Sequence, residues 1–341
     1  MRRSFRPTAF VFVALASILL AACAPTTADN GGPASSATDA PMTVGLTYIP
    51  NVQFAPVYVA DSQGLFADQG LGVALRHHGA EEGLFNALLS GDEEITIASG
   101  DEVLPARAQG ADLVAIGAYY HHYPVQVLVP ADSDIKDLRD LRGMKVGLPG
   151  EYGSNWFGLL AALESAGLSV GDVQVVSVGY TQSAALLSGE VDAIVGFSNS
   201  EAVQLELLGF PARALPMGDL PLVGATIVTT QRWLDANPEA AEAVVTSITE
   251  GVQVVLDDPE VGLEATETWD PTLSNAASRA NAAAILEATL PLWQDTAGNA
   301  SPTQDLDTWR LMAPFLANVL DQPLIADTFA GAVTNAFASQ R

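Results

Sequence analysis

G-L-T-Y-I-P-N-V-Q-F-A-P-V-Y-V-A, residues 45–60, decides the fold. Apolar residues alternate around Thr47 as in a strand, and the pattern breaks at Ile49-Pro50-Asn51. Pro50 has no N–H to give to a ladder and biases Ile49 away from helix. A second apolar run opens at Pro56, a residue suited to a first helical turn, and reaches Ala60. Tyr48, Asn51, Gln53 and Phe54 therefore stand on a short bridge from a buried strand to a helix.

The alternation continues down the chain and argues for parallel α/β layers. Strands are expected at 43–47, 72–75, 95–98, 113–118, 125–129, 145–148, 173–176, 193–196 and 224–229. Helices are expected at 84–89, 156–166, 183–187 and 201–208. Past Gln231 the pattern is helical, over 238–256, 275–292, 305–320 and 323–337. The strands at 125–129 and 224–229 look like crossovers: one leads into P-A-D-S-D-I-K-D-L-R-D-L-R-G and a new αβ series, the other ends it. The expected fold is α/β with two lobes, two hinge crossovers and a helical C-terminal extension on the first lobe. Residues 42–127 with 225–341 form lobe 1, and 128–224 form lobe 2. Ligand sites in such folds lie beyond the carboxyl ends of the strands, here in a cleft between lobes.

The chain of 341 residues carries 40 Asp+Glu against 14 Lys+Arg, a net charge of −26. Nucleic-acid binding needs clustered cations, so no nucleic-acid partner is expected. Met1-Arg2-Arg3-Ser4-Phe5-Arg6 and the apolar run behind it read as a signal peptide over 1–22, ending L-A-A-C at Cys23, the only cysteine. Residues 23–41, rich in Thr, Ser, Gly, Ala and Pro, read as a flexible tether.

Three segments occur in order: G-L-F-A-D-Q-G-L (64–71), D-L-R-G-M-K-V-G-L-P-G (140–150) and L-L-S-G-E-V-D-A-I-V-G (186–196). With the L-A-A-C lipobox they resemble the solute-binding lipoproteins of ABC importers, in the branch of sulfonate, nitrate and thiamine-pyrimidine-precursor binders. The resemblance spans roughly residues 43–256. It implies the periplasmic-binding-protein type II fold, a lipidated Cys23 and attachment to the extracytoplasmic face of the cell membrane. It also implies ABC permease and ATPase partners, and a small solute captured by lobe closure.

In that family the bridge lines the cleft, which would turn Tyr48, Asn51 and Phe54 to the ligand. Asn51 offers donors and acceptors to a heterocycle edge, and the two rings offer flat apolar area. The competing reading is an Asx turn at Asn51 and two core aromatics. Ser99 and Asp101, in S-G-D-E (99–102), are ligand contacts or a helix cap with acids at the positive end of its dipole. Tyr120, in A-Y-Y-H-H-Y-P (118–124), would form a hinge wall. The second lobe offers Glu151, Tyr152, Ser154 and Trp156 in G-E-Y-G-S-N-W-F-G (150–158), and Phe197 and Asn199 in G-F-S-N-S-E (196–201). Helix-start N–H groups near Ser154 would suit an anion, whereas Glu151 would repel one and accept from a ring amino group. No Arg lies on these loops, which disfavours a sulfonate or nitrate. The pairs His77-His78 and His121-His122 lack the carboxylate or cysteine spacing of a metal site.

The fungal pyrimidine synthase of the wider family uses a pyridoxal-bound lysine, a histidine and a cysteine cluster. Residues 45–60 contain no Lys, His or Cys. The expectation is therefore a binding protein without a cofactor, not an enzyme. Its expected ligand is a planar nitrogen heterocycle, the thiamine pyrimidine precursor favoured and riboflavin the alternative.

Overall fold

The computed structural model describes residues 41–79 and 82–338. The signal peptide and Cys23 lie outside the described residues, as does most of the tether. The first sheet begins with β1 (Met42–Leu46), β2 (Val73–His77), β3 (Ile95–Ser99) and β4 (Leu113–Ala118). The chain then crosses to β5 (Val125–Pro130), β6 (Lys145–Leu148), β7 (Gln174–Ser177), β8 (Ala193–Phe197) and β9 (Ala212–Ala214), and returns as β10 (Ala225–Thr230). Among the described residues these strands make two five-stranded sheets, ordered β2-β1-β3-β10-β4 and β7-β6-β8-β5-β9. In each sheet four strands share one direction, and the fifth, made just after a crossing, runs against its neighbours. This is the two-lobed α/β architecture expected from the sequence.

The crossing segments themselves are 119–124 and 215–224. All of β5 belongs to the second sheet, so the boundary drawn at 127/128 falls inside a strand. Val125, Val127 and Val129 are buried in one core with Leu148 and Leu163, which holds the strand there. The turn into the second lobe is made by the segment Y-Y-H-H-Y-P (119–124) before β5, and the return by L-P-M-G-D-L-P-L-V-G (215–224) before β10.

The helices α1 (Ala55–Ser62), α2 (Leu65–Asp68), α3 (Asn86–Ser90), α4 (Gly100–Ala108), α5 (Gly153–Ser165), α6 (Gln182–Ser188) and α7 (Glu201–Leu207) alternate with the strands. The tail carries α8 (Gln231–Ala236), α9 (Pro238–Asp257), α10 (Pro259–Glu267), α11 (Ala276–Trp293) and α12 (Leu306–Val319). α1 is buried from Ala55 to Ala60 because α9 covers it. The approach is so close that a side chain at Gly251 would collide with the carbonyl of Pro56. No helix among the described residues is long and apolar enough to cross a membrane.

The helix expected over 323–337 does not form. A 3-10 turn, Pro323–Asp327, ends near Thr328, and Gly331 takes φ +73°. The segment beyond pairs with the outer edge of β4: Ala115 donates to the Ala332 carbonyl at 2.8 Å, and Thr334 donates back to Ala115 at 2.9 Å. An exposed edge with unpaired N–H groups is a better partner for this segment than its own helix.

Candidate ligand cleft

The parallel strands β1 and β3 of one lobe and β6, β7 and β8 of the other release their loops toward a common interlobe region. Two polar contacts join the lobes there. In the first, Asp101, in the opening turn of α4, accepts from Tyr123 Oη at 2.7 Å and from Ser154 Oγ at 3.1 Å. Ser154 Oγ also meets Ser99 Oγ at 2.9 Å, and Tyr123 Oη lies 2.8 Å from the Ser154 carbonyl. Asp101 is fully buried, and burial pushes its carboxyl up, opposed by the hydroxyls of Tyr123 and Ser154 and by backbone N–H groups. In the second contact, Asn199 donates to Thr289 Oγ1 of α11 at 3.0 Å and lies close enough to Tyr120 to offset part of the rise that burial causes in its phenol. The sequence candidates Ser99, Asp101 and Ser154, and likewise Tyr120 and Asn199, are thus brought together, but onto each other.

The bridge splits. Asn51 Oδ1 accepts from Gln53 N at 3.0 Å, capping the 3-10 turn Val52–Phe54 as an Asx turn. The Phe54 ring is only 4% exposed and meets Tyr58 and His77 edge-on, with centroids 6.5 and 5.9 Å away. For that oxygen and that ring the competing reading is the one realised, because the short turn needs a cap and α1 needs an apolar lid. Tyr48 differs: it is 43% exposed. Trp156 packs against the cores of both lobes, and Phe197 is half-buried against the second-lobe core. Glu151 is exposed.

Tyr152 and Tyr180 stand 57% and 71% exposed on the loops that follow β6 and β7. The Tyr180 phenol is held above its ordinary value by partial burial, then by Tyr152, with Tyr48 and Glu102 as lesser neighbours. Tyr48 and Glu102 of one lobe therefore lie within electrostatic reach of Tyr180 of the other. Sequence reasoning missed Tyr180 and Glu102. The available signals were slight: a tyrosine just after Gly179 at a strand end, and an acid next to Asp101. The loops 47–54, 99–102, 119–124, 149–156, 178–182 and 197–200 hold no Lys or Arg.

The histidines serve the fold. His77 contacts the Tyr48 carbonyl at 2.9 Å and Tyr58 Oη at 3.1 Å, His78 pairs with buried Glu93, and His121 meets the Ser301 carbonyl at 2.8 Å. No group of three or more metal-ligating side chains occurs among the described residues.

Residues 51–261 match the family model described as NMT1/THI5 like. A riboflavin-binding protein, RibY, of Chloroflexus aurantiacus is 29% identical over 322 residues, covering 90% of this chain and 92% of that protein. The 4-amino-5-hydroxymethyl-2-methylpyrimidine phosphate synthase of Aspergillus parasiticus is 26% identical over 66% of this chain and 69% of its own length. Among solved structures, the periplasmic aliphatic sulphonate binding protein SsuA of Escherichia coli matches with a TM-score of 0.69 at 20% identity, over 88% of this chain and 100% of that one. At that identity the match speaks for the fold: two lobes of the periplasmic-binding-protein kind. With more than half of its length inside the family model, the chain belongs to the NMT1/THI5-like family.

Proposed function

We propose that the protein is the extracytoplasmic solute-binding component of an ABC importer and holds a planar nitrogen heterocycle in the interlobe cleft. One observation carries the reading: exposed tyrosines Tyr48, Tyr152 and Tyr180 are contributed by loops of both lobes, with Tyr152, Tyr48 and Glu102 in reach of Tyr180 and no Lys or Arg on the cleft loops. Tyrosine rings offer stacking area to a flat ring, whereas a small oxyanion needs cations or an open cradle of N–H groups. The Asp101–Ser154 and Asn199–Thr289 bonds exist only with the lobes together, so a solute touching both lobes favours the closed form by differential affinity.

Riboflavin leads as the ligand. A relative that matches nearly the whole chain is a riboflavin-binding protein, and three rings spread over both lobes suit a tricyclic system. The thiamine pyrimidine precursor, preferred from the sequence, is the second reading, supported by the partial match to pyrimidine phosphate synthases. A synthase-like activity on this chain is disfavoured by its lysines: Lys136 and Lys145 both lie in lobe 2, Lys145 at the start of β6, opposite the cleft end of that strand. An ABC permease and ATPase would be the partners, with Cys23 lipidated in the membrane.

Titrating the purified full chain with riboflavin tests the reading. Stacking on tyrosine should quench the flavin fluorescence with one-to-one stoichiometry, and 4-amino-5-hydroxymethyl-2-methylpyrimidine should compete less well. Unchanged fluorescence, with calorimetric heat from taurine or nitrate alone, overturns it.

A further inference from the structure

Glu102 follows Asp101 in the first turn of α4, yet the two carboxyls meet different surroundings. Asp101 collects the Tyr123 hydroxyl, the Ser154 hydroxyl and backbone N–H groups. Glu102 has no hydrogen-bond partner among the described residues. Its carboxyl looks across the cleft at the start of α5, where a Cβ on Gly153 would sit 3.8 Å from its Oε1. Two adjacent acids withdrawn from water do not both ionise readily. The charge stays where the donors are, on Asp101. The proton stays on Glu102, whose carboxyl is pushed up by burial first and by Asp101 second.

We propose that Glu102 is the specificity-determining residue of the cleft, pairing as a neutral acid with a ring edge that sets an N–H beside an acceptor. This rests on the heterocycle reading above. A neutral acid has one O–H donor and one carbonyl acceptor side by side. That pair matches the imide edge of a flavin, N–H beside C=O, and equally the amidine edge of an aminopyrimidine, amino group beside ring nitrogen. A carboxylate in its place would set lone pair against lone pair at the ring acceptor. The three tyrosines hold the plane of the ring, and Glu102 reads its edge.

The test uses the full chain as wild type, Glu102→Gln and Glu102→Ala, each checked for folding by circular dichroism. The probes are riboflavin, N3-methylriboflavin and 4-amino-5-hydroxymethyl-2-methylpyrimidine, titrated by calorimetry. Glutamine reproduces the donor–acceptor pair, so Glu102→Gln should bind within about threefold of wild type, while Glu102→Ala loses about tenfold or more. Riboflavin bound tightly by wild type, with N3-methylriboflavin as weak as riboflavin on Glu102→Ala, assigns the imide edge. The same pattern of variants with the pyrimidine alone assigns the amidine edge. Wild-type affinity in Glu102→Ala overturns the proposal, and so does a Glu102→Gln as weak as Glu102→Ala, which would mean that a charge is what the ligand needs. If the wild type binds none of the probes, the heterocycle reading itself falls, a result distinct from variants that bind as well as wild type.

Discussion

Ser154→Ala should weaken ligand capture without weakening either lobe. Ser154 Oγ is the second-lobe donor to the fully buried carboxyl of Asp101 in the first lobe. A hydrogen bond to an ionised group contributes about 1.5–3 kcal/mol, and Tyr123 remains as a second donor, so the lower end, about 1.5 kcal/mol, applies. With the lobes apart both groups meet water, and the substitution costs the open form almost nothing. The whole loss falls on the closed form, shifting its ratio to the open form about tenfold. Because a solute that needs the closed form binds in proportion to that form's population, affinity should fall by up to the same factor.

The helix is not a confounding element. The N-cap of α5 is Tyr152, without a side-chain capping bond, so alanine at 154 removes no cap. Small-angle scattering of the unliganded variant should show a larger radius of gyration than wild type, with riboflavin titration supplying the affinity. An unchanged radius together with unchanged affinity refutes the Asp101–Ser154 bond as a closing contact.

Three further outcomes follow from the same geometry and sequence. Asp101 and Glu102 are both raised by burial in the folded protein, so their contribution is complete below the ordinary carboxylate range and is lost as pH rises through neutrality. Measured as the difference from Asp101→Asn/Glu102→Gln, in which the opposing burial of His77 and His121 cancels, the thermal midpoint of the unliganded wild type should therefore fall between about pH 5 and 8, where the lowered acids Glu82, Asp140 and Asp172 have already given theirs. A difference that is flat or climbs over this range contradicts the assignment. Gly251→Ala drives a methyl into the Pro56 carbonyl between α9 and α1, which should cost about 1–3 kcal/mol in urea unfolding, and a neutral result would place the helices farther apart. Cys23→Ser should move the protein from the membrane fraction to the soluble one, and a variant retained at wild-type level removes the lipid anchor.

How much of this was legible in the sequence depended on the range of the interaction. The bridge at 45–60 announced strand, break and helix because Pro50 and Pro56 act on their own neighbours. The tail helices α9, α11 and α12 were readable for the same reason, each from its own periodicity. The segment 323–337 was not, because its competitor is the edge of β4, some two hundred residues away. The cleft shows the same division. Asn51 could be suspected of an Asx turn from its position alone, and it makes one. That Ser154 would face Asp101, or Asn199 would face Thr289, depends on how two separately folded sheets meet, and no local pattern carries that. Glu102 was passed over in favour of Asp101 because adjacent acids look alike until the donors around each are known.

The C-terminal extension changes how the cleft can open. Phe157, Leu160 and Ala161 of α5, in the second lobe, lie in one buried cluster with Trp309, Met312, Phe315 and Leu316 of α12, which belongs to the tail of the first. Asn318 of α12 also reaches Glu164 of α5 at 3.3 Å. Separating this seam would expose large apolar side chains at about 1.5–3 kcal/mol each, with no compensating bond to water. Parting Asp101 from Ser154, or Asn199 from Thr289, exchanges hydrogen bonds for water and costs far less. This apolar cluster, which also holds Val103 and Leu104 beside Asp101, therefore resists separation more strongly than the polar contacts do. The tail is thus part of the surface against which the second lobe packs, through the α12 side chains of this cluster and through Thr289.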